Sequence, residues 1–386
     1  MNERICIVGL GGGGGKIIDS VVSSAHGGLG TVAINTDAAA LADSTAGTKL
    51  QIGSDLTDGF GAGGDMTIGK QAAEGDLEIL RTLFDDVKLV FLVAGLGGGT
   101  GTGAAPVVLK AAHEAGAMTI CFATLPFKFE GERRKELAEK AVTDLRGTTD
   151  ALVLIPNDRL FEFVGDMSMA ETFDRAGQIL GDGICAIWKL IRQPGFINLD
   201  FADLRKAIQH GGGRCGFGYG SSSGDGKARK AVKILLESPL LAQGEDLARS
   251  RAVIVSIVGG PDLALKEISD IMEAITGKVK HDCHISMGTV LDDNWNGRIT
   301  VVAIASEQWT ILPDDDQKSS LSKQGSATNR GFRGSVAGKT VQQPMQTKLS
   351  LETAGRGRFK NVEPTILDGE DLDVPTFIRQ GIIIEK

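Results

Sequence analysis

The sequence predicts an α/β protein: a Rossmann-like parallel-sheet domain, a long central helix, and a second mixed-sheet α/β domain. Three observations predict it. Short β-branched runs alternate with helical patterns up to residue 156. One unbroken helical pattern follows at 168–191, and a second group of strands and helices then runs to about residue 305.

The first strand is RICIV (4–8), apolar throughout, as expected of a strand covered on both faces. GKIIDSVVSSA (15–25) reads as a helix and TVAINT (31–36) as the second strand. A helix around 68–84 comes next, then the strand VKLVFLVAG (87–95) and a helix at 103–115. The strand AMTICFAT (117–124), a helix at 130–147 and the strand ALVLIP (151–156) complete a first domain, 1–167. Strands joined by helix-length crossovers make a parallel sheet. In the pattern at 168–191, Met169, Phe173, Ala176, Leu180, Ile184, Ile187 and Ile191 step by three or four, giving one apolar face. This helix and the loop after it span 168–210. The second domain, 211–307, holds RCGFGYG (214–220), a basic amphipathic helix near 225–237 and AVIVSIVGG (252–260). It closes with a helix at 262–276 and strand-like runs at 283–290 and 297–305.

Composition changes after residue 307. The stretch 308–370 is rich in Ser, Gly, Gln, Lys and Asp and reads as a flexible linker. Some 60 such residues have a root-mean-square span of roughly 45 Å. The terminal segment 371–386 opens with DLDVPTFIRQ, which has the anchors of a recognition peptide: Leu372, Val374, Phe377 and Ile378, with Pro375 setting a kink and Arg379 supplying charge.

A net charge of −8 argues against nucleic acid as a partner, since phosphate neutralisation needs a basic face. The five cysteines are scattered and never form C-x-x-C, which fits a reducing cytoplasm with no zinc site. The start lacks the shape of a signal peptide, and no apolar stretch reaches the ~18 residues of a membrane span. The expectation is a cytoplasmic protein without direct membrane insertion.

The 53 glycines far exceed the ~7% average and fall in clusters at strand ends. The most specific is GLGGGTGTG (95–103), between a strand and a helix. Successive glycines let backbone N–H groups converge on an anion, and the helix N-terminus adds partial positive charge. Thr100 and Thr102 add hydroxyls. A tight turn alone needs one or two glycines, not five. GLGGGGGK (9–16) is a second such loop. It is no P-loop, because Leu10 stands where the first glycine is required and Ile17 where Ser or Thr should bind metal. Gly9, Gly11 and Gly14 match the dinucleotide fingerprint, so an oxidoreductase is an alternative, but that match says nothing about residues 95–103. GFGAGGD (59–65) and NTDAAAL (35–41) are two weaker candidate loops at the same end of the sheet.

With these motifs in view, the chain resembles the tubulin/FtsZ family from residue 4 to about 305. GLGGGGG, NTDA, GFGAGG, AGLGGGTGTGAAPVV, PFKFEGERR, IPNDRL and INLDFADLR carry the resemblance in order. It implies a GTPase that binds GTP and GDP, polymerises head-to-tail with copies of itself, and works at the mid-cell division ring of bacteria. By the same resemblance Gly11, Gly12 and Gly13 hold the α/β phosphates, and Gly97, Gly98, Gly99, Thr100, Gly101 and Thr102 wrap the phosphate chain. Ala62, Gly63 and Gly64 sense the γ-phosphate, Glu130 and Arg134 approach the ribose, and Phe173 stacks on the base. Asp200 and Asp203 polarise the attacking water and Asn198 helps position it, all three entering the site of the next subunit. Read alone, the two aspartates are better suited to capping a helix, and Glu130 and Arg134 are equally suited to an intrahelical ion pair. Mg²⁺ is expected on phosphates and waters, with no protein metal ligand. The tail peptide 371–380 is implied to bind membrane-anchoring and regulatory division proteins.

Two positions depart from the family. Lys16 stands where an asparagine usually contacts guanine, and Gly177 where an asparagine or aspartate usually reads the base. A glycine offers no acceptor to guanine N–H groups. Lys16 can donate to the guanine carbonyl, and Asp174 or Gln178 are neighbouring acceptors. The expectation is GTP binding with relaxed or rewired base selection; a weakly hydrolysing, nucleotide-binding regulator is the alternative. Asp65-Met66 also replaces a usual Asn-Pro, which bears on the rigidity of the γ-phosphate loop.

Overall fold

The computed structural model describes residues 4–24, 29–164, 167–192, 195–197, 199, 201–205, 214–307, 366–367 and 370–371. The chain divides into two units, Met1–Pro313 and Asp314–Lys386. In the second, the described residues form one short antiparallel ladder, Ile366–Leu367 with Glu370–Asp371. The rest of the expected linker and terminal peptide lies outside the described residues.

Six strands of the first unit are parallel: β1 (Arg4–Leu10), β2 (Gly30–Asn35), β3 (Thr48–Gln51), β4 (Val87–Gly95), β5 (Met118–Leu125) and β6 (Ala151–Pro156). Their order is 3-2-1-4-5-6, so the winding reverses between β1 and β4. Crevices at such a reversal are where open α/β sheets bind ligands. The helices are α1 (Gly11–Ser24), α2 (Ala38–Asp43), α3 (Ser54–Thr57), α4 (Met66–Gly75), α5 (Leu77–Leu83), α6 (Thr100–Glu114), α7 (Glu132–Arg146), α8 (Asn157–Val164) and α9 (Met169–Arg192).

Each buried strand serves two cores, because alternate side chains point to opposite faces. On β4, Leu89, Phe91 and Val93 join α1 and α9, with Ile18, Val21, Leu180 and Ile184. Val90, Leu92 and Ala94 face α6 and α7, with Val108, Leu109 and Leu145. The apolar stripe expected at 168–191 lies on α9: its Ala176, Leu180, Ile184 and Ile187 are buried, while its Phe173 stays exposed.

The remaining strands are β7 (Arg214–Ser223), β8 (Ala252–Gly259), β9 (His284–Leu291) and β10 (Arg298–Glu307). β10 lies antiparallel to β7 and β8, and β8 pairs parallel with β9, a mixed sheet as expected. It is continuous with the first sheet through a two-residue pairing, Leu152↔Arg214 and Val153↔Cys215. Phe122 and Phe217 meet edge-on across that seam, ring centroids 5.8 Å apart. The helices α10 (Lys227–Leu236), α11 (Glu245–Arg249) and α12 (Leu265–Thr276) cover this part.

Several boundaries differ from the sequence expectation, α6 starting at Thr100 rather than 103 and α12 at Leu265 rather than 262, and four differences have a clear local reason. α1 starts at Gly11 rather than 15, because the glycine run itself is helical. The helix expected at 68–84 is two, broken at Asp76, whose carboxylate instead accepts from the Gly53 N–H at 2.6 Å. The helix expected from 130 starts at Glu132, because Gly131 sits at φ 95° after a 3₁₀ turn, Lys128–Glu130. NTDAAAL is a helix start as well as a turn: Asp37 caps α2 by accepting from Ala40 N–H at 2.9 Å.

Candidate nucleotide site

A cavity of about 920 Å³ opens at the winding reversal, a size suited to a small-molecule ligand. β1 runs straight into α1 and β4 into α6 through glycines, so both helix N-termini point at it. Gly9, Gly11, Gly12, Gly13 and Gly95, Gly98, Gly99, Thr100, Gly101 line this end. The two loops touch: an added Cβ on Gly11 would stand 3.1 Å from Gly101 N. Two helix N-termini with free main-chain N–H groups and no carboxylate between them form an anion site.

Glycine is needed here for two different reasons. A Cβ on Gly14, just behind the loop, would stand 2.2 Å from the Val93 carbonyl, so packing alone demands glycine. A Cβ on Gly12 or Gly98 would meet nothing within 4 Å. Neither has a positive φ, so nothing within the chain requires glycine at either. Both residues line the cavity, so the open space beside them is available to a ligand.

The expected loop residues separate accordingly. Gly97 and Thr102 do not line the cavity; the buried Thr102 Oγ1 accepts from the Gly97 N–H at 2.8 Å and fixes the loop from behind. Thr100 lines it, and its hydroxyl pairs with that of Thr36 at 2.6 Å, joining the loops after β4 and β2. Ala62, Gly63 and Gly64 also lie off the cavity wall. Ala62 is buried against Gly99, while a Cβ on Gly63 or Gly64 would be in open space. The loop is closed without a proline: Asp65 N–H donates to Ala62 O at 2.9 Å, and the Asp65 carboxylate caps α4 through Thr67 N–H at 2.7 Å. That backbone hydrogen bond holds Asp65 below the ordinary carboxylate range.

The other end is built from side chains. Phe173 is 40% exposed and meets Phe127 edge-on at 5.6 Å, while Phe127 stacks on Phe129 at 4.8 Å. The sequence expectation named Phe173 and missed the other two, though PFKF ends a parallel strand at the ligand-binding edge. Glu130 and Arg134 line the rim and form an ion pair across the Gly131 break. The Glu130 carboxylate also accepts from Phe127 N–H at 2.8 Å, fixing the aromatic turn. Lys16, Asp19, Asp43, Asp174 and Gly177 complete this end.

Of the three expected catalytic residues, Asp203 alone is among the described residues. Asn198 and Asp200 lie outside the described residues. Asp203 is half-buried on a helical turn at 201–205 and does not line the cavity. Its loop is fastened to β9 by Ile197, which accepts from Thr289 N–H at 2.9 Å and donates to its hydroxyl at 3.1 Å. From Phe173 to the end of α9 is 19 residues, about 28 Å of helix. Among the described residues no group of three or more His, Cys, Asp or Glu is placed to hold a metal.

A two-loop anion cradle beside an aromatic slot, at the reversal of a parallel sheet, defines a nucleotide-binding α/β protein. A model of the tubulin/FtsZ family GTPase domain matches residues 4–165, and one of the FtsZ family C-terminal domain matches 213–308. The chain is 36% identical over 354 residues to the cell division protein FtsZ of Bartonella bacilliformis, covering 92% of this chain. It spans 60% of the length of that relative. An empty FtsZ dimer from M. jannaschii superposes with a TM-score of 0.74 at 33% identity, covering 81% of this chain and 96% of that one. A GTPγS-bound protofilament of CetZ2 from Haloferax volcanii shares the fold, with TM-score 0.64 and 22% identity over 79% of this chain and 93% of that one. The chain belongs to the tubulin/FtsZ family.

Proposed function

We propose that this chain binds and hydrolyses GTP and polymerises head-to-tail, as the filament of the bacterial division ring, with each active site completed by the next subunit. The observation that carries this reading is a separation. The phosphate cradle contains no carboxylate, while the aspartate-bearing loop is fastened at the opposite end of α9.

In this reading the amides of Gly11–Gly13 and Gly98–Gly101 neutralise the phosphate oxygens, and Phe173 stacks on the base. The Glu130–Arg134 pair borders the ribose, and Ala62–Gly64 close over the terminal phosphate. Asp203, with Asp200 and Asn198, orients water from the neighbouring subunit, the step that phosphoryl transfer to water most needs. Mg²⁺ would be held mainly by the nucleotide's phosphates and by water, and would supply charge neutralisation there. The terminal segment 371–386 would dock membrane-anchoring and regulatory division proteins.

Phosphate release measured against protein concentration tests the proposal. The expected curve has a threshold followed by a rise, and Asp203→Ala lowers the rate by about a hundredfold or more while GTP still binds. A rate strictly proportional to concentration, with no threshold, would reject catalysis between subunits.

A further inference from the structure

The base end of the cavity carries a donor and an acceptor that the fold leaves unsatisfied. α1 and α9 run side by side in the same direction: Ser20 abuts Gly177, and Ser24 donates to Asp182 at 2.7 Å. One turn back from Ser20 on α1 is Lys16. One turn back from Gly177 on α9 is the Phe173–Asp174 pair. Lys16 and Asp174 therefore sit at the same end of the two neighbouring helices as Phe173, and both residues line the cavity. Neither charged group has a hydrogen-bond or ion-pair partner among the described residues.

Two of the neighbouring groups are committed elsewhere, and Asp43 on α2 is the remaining carboxylate at this end. Asp19 accepts from Ser44 and Thr45, at 2.7 to 2.9 Å. Gln178 is off the cavity wall, its carbonyl accepting from Arg175 at 3.2 Å. Gly177 has no functional group, and its Cα face is occupied by Ser20, whose Oγ would lie 2.8 Å from an added Cβ.

We infer that Lys16 and Asp174 together read the edge of a guanine base. Lys16 donates to the 6-carbonyl, and Asp174 accepts from the ring N–H and 2-amino group beside it. This deepens the proposed GTP reading and rests on it. Adenine turns its 6-amino group to the ammonium and offers no ring N–H to the carboxylate. Xanthine turns its 2-carbonyl to the carboxylate, and hypoxanthine loses only the amino group. Base selection is thus rewired onto two new side chains rather than relaxed.

The test is equilibrium competition of GTP, ITP, XTP and ATP against a fluorescent GDP analogue on the full chain. The unsubstituted protein is expected to rank GTP above ITP, with XTP and ATP weakest, each charged hydrogen bond lost costing about ten- to a hundredfold in affinity. Asp174→Asn, whose amide can donate to the 2-carbonyl, shifts the preference from GTP toward XTP by a similar factor. Lys16→Ala narrows the GTP-to-ATP ratio without restoring XTP. Both side chains are at the surface, and the four-nucleotide ranking needs no variant at all. Equal affinity for GTP and ATP, or a ranking that neither substitution moves, overturns the assignment. A shift on Asp43→Asn in place of Asp174→Asn overturns it too. Absence of binding by every nucleotide would instead reject the GTP reading beneath it.

Discussion

At the phosphate end of the cavity the protein presents almost no side chains: Gly11, Gly12, Gly13, Gly98 and Gly99 offer main-chain amides at two helix N-termini. At the base end, aromatic rings and charged groups from α1, α9 and the turn after β5 do the contacting. An amide-built site is specified by where the backbone goes, so its residues are constrained by what must be absent. A side-chain-built site is specified by which groups project, and can be rebuilt by substitution while the backbone stays put. The departures from the family pattern at 16 and 177 fall at the second kind of end.

The sharpest way to break this contrast lies among the glycines themselves. Gly14→Ala drives a methyl into the Val93 carbonyl, 2.2 Å away, between β4 and α1. Rigid backbone on both sides leaves no cheap relief, so urea unfolding should show a loss of about 3 kcal/mol or more. Gly12→Ala meets nothing within 4 Å. Its unfolding midpoint should hold or rise slightly, because alanine favours the helix, while nucleotide affinity drops about tenfold as the methyl enters the phosphate space. Equal effects of the two on stability would mean that Gly12, too, serves packing.

This contrast also explains what could be read from the sequence. The glycine-built end was legible because backbone-built loops leave a compositional trace, five glycines and two threonines between a strand and a helix. The parallel sheet and α9 were legible from apolar runs and three-or-four-residue periodicity. The Thr102 hydroxyl was misplaced, since motif spacing does not say which side of a loop a side chain faces. Phe127 and Phe129 went unnoticed because the sequence does not show that the turn fixed by Glu130 buries Phe127 edge-on to Phe173 and leaves Phe129 exposed. The short elements α2, β3 and α8 carry too few residues for a period to show. The division at Asp76 depends on a hydrogen bond to Gly53, 23 residues away.

Both ends stand on one buried scaffold, which should fail as a unit at high pH. Burial pushes the thiols of Cys6, Cys121 and Cys185 from 9.0 to about 12 and that of Cys215 to about 11. An acid whose folded pKa is raised contributes nothing unfavourable below its unfolded value, and its stability is lost as pH rises above it. The thermal midpoint should therefore be steady around pH 8 and fall progressively above pH 9. The same four thiols should resist alkylation in the native state, where half-exposed Cys283 reacts first. A midpoint flat through pH 10.5 would contradict the burial of these groups.

The smallest expected effect bears most directly on the proposed shift of base reading to new positions. Gly177→Ala places a methyl 2.8 Å from Ser20 Oγ and 3.7 Å from its Cβ. The hydroxyl is the tip of a rotor whose present hydrogen bond, to Lys16 O at 3.3 Å, is long and exposed, so it can turn aside cheaply. Replacing glycine inside a helix contributes roughly 1 kcal/mol in the other direction. The two nearly cancel, and urea unfolding should place Gly177→Ala within about 0.5 kcal/mol of the unsubstituted chain. One turn on, Gly181→Ala should be worse, because its methyl faces main chain, Val21 N at 3.1 Å and Ser20 C at 3.2 Å. If Gly177→Ala proves as costly as Gly181→Ala, the close approach of α1 and α9 forbids any side chain at 177. If it is neutral, 177 is free to carry one, and base reading by Lys16 and Asp174 reflects the chemistry at those two positions rather than a steric prohibition.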